Sequence, residues 1–283
     1  MTFKPENWML CAWILLSVSL LSCTSSPPKN HGKLDLELFL GEGANQPLVV
    51  GFGGGEGGNA WAGDYWETTR NEFLDAGFAF LAVGYFGSAS TPAYLDRISL
   101  DAIRDSILNV AKNPKIDGER IAVIGGSKGG ELVLNLASVF GEINAVVAMV
   151  PSHVSFPANT ILANNSSWTY HDVELPYVPA TFATISPALR HDLHEAFSIM
   201  LRDEEAVERA LIPVEKINGS ILLVSASADE MWPSAMMAER VFQRLKEKQF
   251  RPVYKHVIID GGHMAPTKHF DLVLEFLKQS LKE

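Results

Sequence analysis

The amino-acid sequence predicts an α/β protein, a mostly parallel twisted sheet with helices on both faces. Three observations carry that prediction. Short apolar, β-branched runs recur between residues 46 and 259, separated by stretches of helical spacing, which is the pattern of strands joined by right-handed crossovers. One of these runs, Ile121-Ala122-Val123-Ile124, passes through Gly125-Gly126-Ser127-Lys128-Gly129 into a helical pattern, so a Gly-x-Ser-x-Gly turn lies between a strand and a helix. Finally, 283 residues with 47% hydrophobic content are enough to bury one sizeable core.

Taken in order, the chain begins with Trp8 to Ser22, about fifteen mostly apolar residues, too short to span a bilayer comfortably and suited to the core of a signal peptide. Leu20-Leu21-Ser22-Cys23 resembles a bacterial lipobox, whose cysteine becomes the lipidated first residue of the mature chain. Residues 1–23 are therefore read as a signal peptide of lipoprotein type, lipidated at Cys23, and the product as exported to the bacterial cell envelope; a plainly cleaved leader, giving a periplasmic or secreted protein, and an uncleaved anchor are the alternatives. Thr24-Ser25-Ser26-Pro27-Pro28-Lys29-Asn30 has tether composition, and residues 24–45 are read as tether and N-terminal extension.

The folded domain is expected from residue 46 to residue 283. Gln46 to Phe52 is a short continuous apolar run, as in a strand buried on both faces. It empties into Gly53-Gly54-Gly55-Glu56-Gly57-Gly58, and Trp61 to Ala76 then has helical spacing. The glycines match Gly-x-Gly-x-x-Gly, but the next strand, Phe78 to Val83, ends in Gly84-Tyr85-Phe86-Gly87 with no acidic residue for a ribose, so no nucleotide cofactor is expected. Tyr94 to Lys112 predicts a helix stopped by Asn113-Pro114, and Arg120 to Ile124 the central strand before the turn. Ala145 to Val150 is a further strand.

From Pro151 to about Leu211 the alternation is lost. Prolines and aromatics (Phe156, Trp168, Tyr170, Tyr177, Phe182) replace it, with a helix pattern from His191 to Leu211, and residues 151–211 are read as a cap insertion over a site mouth. The sheet resumes with Ile221 to Ala226, helix Ser234 to Lys246, strand Val253 to Ile259 and a closing helix from Phe270 to Leu281.

Composition removes several classes of function. A net charge of −10 without a Lys/Arg cluster argues against nucleic acid as a partner. The two cysteines, Cys11 and Cys23, both precede the domain, which leaves it no thiol nucleophile, disulfide or thiolate metal site. His191 and His194 lie three residues apart with no third ligand evident, so they read as a solvated face and no metal is expected.

What remains is nucleophilic chemistry. Ser127 follows a central strand, Asp229 a later one, and His263 stands in Asp260-Gly261-Gly262-His263 after the last. In a parallel sheet all three positions fall at the carboxyl ends of strands and share one rim. A serine hydroxyl needs a base to take its proton, and an imidazole needs a carboxylate to fix its tautomer, so the order Ser, Asp, His predicts a triad. Glu230 is the rival acid, and Asp260 has at most a supporting part. Backbone N–H groups of Lys128, Gly54 and Gly55 are the candidates for an oxyanion hole, with the Lys128 side chain read as solvated.

Several segments also resemble a known family. Gly54 to Gly58, Gly77 to Gly87, Gly125-Gly126-Ser127-Lys128-Gly129-Gly130-Glu131, Ile212-Pro213-Val214-Glu215-Lys216-Ile217 and Asp229-Glu230-Met231-Trp232-Pro233-Ser234 are similar to the C-terminal catalytic domain of acyl-CoA thioesterases and bile acid-CoA:amino acid N-acyltransferases, an α/β-hydrolase family of dienelactone hydrolase-like fold. The resemblance covers roughly Pro47 to the C-terminus and implies the same triad by position. It also implies a serine hydrolase acting on acyl esters or thioesters, because the family's acyltransferases carry cysteine where this chain has Ser127. The family's eukaryotic enzymes carry a further β-sandwich domain ahead of this one, and acyl-CoA is a cytoplasmic metabolite, so the resemblance speaks to chemistry before substrate. An envelope serine peptidase or carboxylesterase, an N-acyltransferase and an inactive binding lipoprotein are the alternatives.

Overall fold

The computed structural model describes residues 26–160 and 163–282. The reading of residues 1–23, with Cys23, lies outside them. Continuous apolar runs became the strands, because a strand covered on both faces has no polar side to show. In chain order the elements are β1 (Asp35–Phe39), β2 (Gln46–Phe52), α1 (Glu67–Asp75), β3 (Ala79–Gly84), the two-residue β4 (Ile98–Ser99), α2 (Leu100–Val110), β5 (Ile116–Gly126), α3 (Lys128–Val139) and β6 (Ile143–Met149). The irregular stretch carries β7 (Trp168–Tyr170), β8 (Val173–Glu174), α4 (Phe182–Leu189), α5 (Leu193–Met200) and α6 (Glu204–Ala210). It is followed by β9 (Ser220–Ala226), α7 (Ser234–Glu247), β10 (Tyr254–Ile259) and α8 (Phe270–Ser280).

Seven strands form one sheet in the order β1-β3-β2-β5-β6-β9-β10. All its neighbours pair in parallel except β1 and β3, which are antiparallel. Along β2, Leu48, Val50 and Phe52 enter the core beneath α2, α3 and α7, while Val49 enters the other, beneath α1 and α8. This is the two-residue period of a strand dividing its side chains between two helical layers. The protein has the α/β-hydrolase architecture that the sequence predicts. No helix among the described residues is long and apolar enough to cross a membrane.

Several elements differ from the sequence expectation. Residues 35–39, within the stretch read as tether and extension, form the antiparallel edge strand β1, with Asp35 opposite Gly84 at the carboxyl end of β3. The helix expected over Tyr94 to Lys112 starts only at Leu100, where the Ser99 hydroxyl caps it by accepting from the Ala102 N–H at 3.1 Å. The backbone ahead of it is committed elsewhere: Arg97 and Ile98 donate to Ser166 and Ser167, and β4 joins β7 and β8 in a small sheet. Likewise the pattern from Trp61 to Ala76 is α-helical only from Glu67: the extended Gly63 divides what precedes it into two 3-10 turns, the second of which leads straight into α1.

Between β6 and β9 the chain builds a small core of its own, where Val154, Phe156, Val178, Met200, Ala206 and Ala210 pack with Trp232 and Met237. The helix pattern from His191 to Leu211 is two helices, α5 and α6, each capped by an aspartate: Asp192 accepts from Glu195 and Asp203 from Ala206. His191 stands in the turn before α5 and His194 inside it, so the two do not share a helix face. Among the described residues no group of three or more His, Cys, Asp or Glu side chains is placed to hold a metal ion.

Candidate active site

β5 ends at Gly126, and the chain must reverse into α3 within one residue. Ser127 takes that turn at φ 56 and ψ −121, a conformation that costs a non-glycine residue of order 1–3 kcal/mol and holds its side chain on an elbow. Gly125 and Gly129 make the crossing possible, since a Cβ on Gly125 would collide with the Gly129 carbonyl and one on Gly129 with the Gly53 carbonyl. The Ser127 N–H is anchored on the Met149 carbonyl of β6 at 3.0 Å.

Asp229 follows β9 and His263 follows β10, and the structure brings these two together: His263 Nδ1 and Asp229 Oδ1 are 2.8 Å apart. Asp229 Oδ1 also accepts from the Met231 and Trp232 N–H groups at 2.9 and 3.3 Å, which fixes the carboxylate before the imidazole arrives. Burial works against the charge on Asp229, but the His263 imidazole and the Ser234 hydroxyl favour it and hold the carboxyl below its ordinary range. With Nδ1 facing a carboxylate, Nε2 is the nitrogen left to exchange a proton with a ligand.

Ser127 and His263 border the same cavity, of about 880 Å³. The Ser127 hydroxyl has no hydrogen-bond partner among the described residues; such contacts commonly tighten only when substrate is bound. Over the elbow runs the glycine loop after β2, close enough that a Cβ on Gly54 would stand 3.2 Å from that of Ser127. The Gly54 N–H donates to Glu56 Oε1 at 2.9 Å, so it is engaged within its own loop. The N–H groups of Gly55 and of Lys128, at the start of α3, are without partners among the described residues.

Sequence reasoning missed the groups that hold this rim. Glu230, the rival acid, accepts the backbone N–H of His263 at 2.8 Å and so fixes the histidine loop from outside the imidazole; Gly262 leaves room for it. Asp260 accepts from the Ser227 hydroxyl at 2.8 Å, at the base of the same loop. Buried Tyr85 donates to the Gly53 and Gly54 carbonyls at 2.8 and 3.2 Å. The Lys128 side chain is not solvated, as the sequence suggested, but buried: its Nζ meets Glu131 Oε2 at 2.8 Å and lies 5.5 Å from the Trp168 ring centre. Glu131, fully buried, also accepts from Trp168 Nε1 at 2.6 Å and the Phe156 N–H at 3.1 Å, so the elbow helix grips the insertion. Glu131 is the acid at the end of Ser-Lys-Gly-Gly-Glu, which was a visible signal, but its partners lie 25 and 37 residues away.

The rest of the cavity wall is largely apolar. Phe156, Ala188, Phe197 and Met200 of the insertion line the cavity together with Trp232, which packs against Phe156 and Phe197, and Trp61, Trp66 and Phe270 line it as a second aromatic cluster. A polar rim of hydroxyl, imidazole and free N–H groups beside an apolar chamber suits a reacting carbonyl joined to a hydrocarbon tail.

Fold and site together define a protein of the α/β-hydrolase class. Solved structures agree on the fold: a Pyrococcus horikoshii acylaminoacyl peptidase matches with TM-score 0.62 at 19% identity, over 88% of this chain and 40% of that one. A Mycobacterium tuberculosis puromycin-hydrolyzing peptidase matches with TM-score 0.60 at 16% identity, over 88% and 37%. Within that class, residues 98–270 match the family model "BAAT / Acyl-CoA thioester hydrolase C terminal", and the chain belongs to that family. Similar proteins include mouse acyl-coenzyme A thioesterase 6, 27% identical over 77% of this chain and 49% of the relative. Mouse acyl-coenzyme A amino acid N-acyltransferase 1 is 28% identical over 60% of this chain and 38% of the relative. The chain thus spans about half the length, or less, of these relatives.

Proposed function

We propose that the chain is a serine hydrolase that cleaves acyl thioesters or esters through an acyl-Ser127 intermediate. The observation that carries this reading is the Asp229–His263 pair on the rim of the apolar cavity that the strained Ser127 elbow also borders. The Ser127 oxygen attacks the acyl carbonyl carbon while His263 Nε2 takes its proton, and Asp229 stabilises the imidazolium that results. The Lys128 and Gly55 N–H groups receive the oxyanion, a contribution of about 3–4 kcal/mol per donor in comparable sites. Collapse expels the thiolate or alkoxide, which takes the proton from His263. Water, deprotonated by the same nitrogen, then attacks the acyl-serine and releases the acid.

A serine ester is the intermediate that water cleaves readily, so hydrolysis rather than transfer is the reaction, and the apolar wall selects a hydrocarbon acyl group. Export and lipidation at Cys23 belong to the same proposal; fatty-acid labelling of the wild type, lost in Cys23→Ala, tests them. For the chemistry, a fluorophosphonate probe is applied to the wild type beside Ser127→Ala, followed by p-nitrophenyl esters, acyl-CoAs and peptides. Labelling confined to the wild type and turnover rising with acyl length are expected; an unlabelled wild type, or cleavage of peptides alone, would sink the proposal.

A further inference from the structure

The helix that closes one side of the cavity is apolar on the outside as well. Within α4, Thr184 and Ala188 line the chamber, while Phe182, Ile185 and Leu189, one turn apart on an adjoining face, are 93%, 49% and 77% exposed. From Leu175 to Leu189 the sequence holds no Asp, Glu, Lys or Arg, although such residues make up 20% of the chain. Around the mouth, Tyr65, Met231 and Met264 border the cavity and are exposed in their turn. Contiguous apolar surface of this kind marks a docking face.

What covers it is indicated by where the chain comes in. β1 is antiparallel to the rest of the sheet, and Asp35 pairs with Gly84 at the carboxyl end of β3, so the N-terminal segment arrives at the rim that bears Ser127 and His263. Asn30 Nδ2 donates to the Thr91 carbonyl at 3.2 Å, and His31 lies 3.7 Å from Asp172 in the turn between β7 and β8, so this segment runs along the insertion. Only Thr24 and Ser25 separate Cys23 from the first described residue, a reach of roughly 10 Å. An apolar or lipidated leader ending at Cys23 therefore puts a bilayer on the side of the mouth.

We propose that α4 and the rim of the mouth sit on a lipid surface, and that the site draws its acyl substrate from that surface. The first half rests on the reading of residues 1–23 as a membrane-directed leader, and the second on the hydrolase reading above as well. The ligand is an amphiphile whose acyl chain passes from the bilayer beneath α4 into the chamber. With a net charge of −10 the protein gains nothing from anionic headgroups, so the attraction is apolar.

The test uses the full chain with uncharged phosphatidylcholine vesicles and reads hydrogen exchange along residues 182–189, in the wild type and in Phe182→Ser/Leu189→Ser. Neither residue lines the cavity, so the double variant keeps its turnover of soluble p-nitrophenyl butyrate. Vesicles are expected to slow exchange in α4 at least about tenfold in the wild type and far less in the variant. The variant is also expected to hydrolyse a long-chain ester embedded in the same vesicles at least about tenfold more slowly. Exchange in α4 unaffected by vesicles overturns the docking whatever the enzyme does. Protection of α4 without turnover of either ester upholds the docking and overturns the hydrolase reading. Protection that rises with protein concentration in the absence of vesicles overturns it in favour of a second copy of the chain.

Discussion

Replacing Glu131 by alanine tests whether the elbow helix and the insertion are held by one buried charge. In the wild type its two fully buried oxygens satisfy the Lys128 ammonium at 2.8 Å, on a side chain only 12% exposed, Trp168 Nε1 at 2.6 Å and the Phe156 N–H at 3.1 Å. Glu131→Ala strands a buried cation and two buried N–H groups. Breaking a buried pair from one side costs about 3–5 kcal/mol, and an orphaned N–H adds about 1–3, without full additivity. A loss of about 4 kcal/mol follows, or roughly 8–16 °C in melting temperature for a domain of this size. Lys128→Met/Glu131→Leu removes both charges and should recover a good part of the loss, with a coupling of at least about 1.5 kcal/mol in the double-mutant cycle.

The sign of the pH dependence follows from Lys128, whose pKa burial lowers from its ordinary 10.5. Between its folded value and 10.5 the unfolded chain binds the extra proton, so stability rises with pH there, and over a wider pH window once Glu131, which holds that pKa up, is gone. The deficit of Glu131→Ala should therefore narrow from neutral pH toward 10.5. Circular-dichroism melts of the wild type, Glu131→Ala, Glu131→Leu, Lys128→Met and the double variant at several pH values read all of this. A Glu131→Ala protein melting within about 2 °C of the wild type, or additive single losses, would refute the argument.

Three further outcomes follow from the rim. Ser127→Ala should lower turnover by roughly 10⁴- to 10⁶-fold, while Ser127→Gly, equally inactive, should melt higher than the alanine variant because glycine tolerates φ 56; calorimetry separates them. Asp229→Asn should cost about 10⁴ in kcat by supporting the wrong imidazole tautomer. Because the folded pKa of Asp229 is depressed, the stability it contributes is complete above 3.8 and fades as pH falls through the folded value, so acid-unfolding curves of wild type and Asp229→Asn should converge below pH 3.8. Glu230→Ala should reduce kcat about tenfold or more with a smaller change in KM, because the His263 backbone loses its acceptor while the acyl chamber is untouched; an unchanged kcat argues against that positioning role.

Local pattern sufficed where a segment's neighbours are its own neighbours in sequence. The run Gln46 to Phe52 is β2 residue for residue, and the helices after β9 and β10 start at Ser234 and Phe270 as the spacing predicts. Pattern failed where distant backbone competes for hydrogen bonds. Tyr94 to Ser99 has helical spacing, but its N–H and carbonyl groups are taken by Asn159, Ser166 and Ser167. Residues 35–39 do alternate, Leu36 and Leu38 against Asp35 and Glu37, a strand signal that the tether reading of this stretch passed over, and β3 offers them an open edge.

By itself, then, the sequence determined the α/β alternation, the Gly-Gly-Ser-Lys-Gly elbow and the placing of Asp229 and His263 after late strands, because each depends on periodicity or on one tight turn. Only the tertiary structure decided that Glu230 holds the His263 backbone, that Glu56 occupies the Gly54 N–H, and that Lys128 is buried against Glu131 rather than solvated. The physical reason is desolvation: whether a charge stays in water or must find a partner is settled by which remote segments cover it, and no local pattern encodes that.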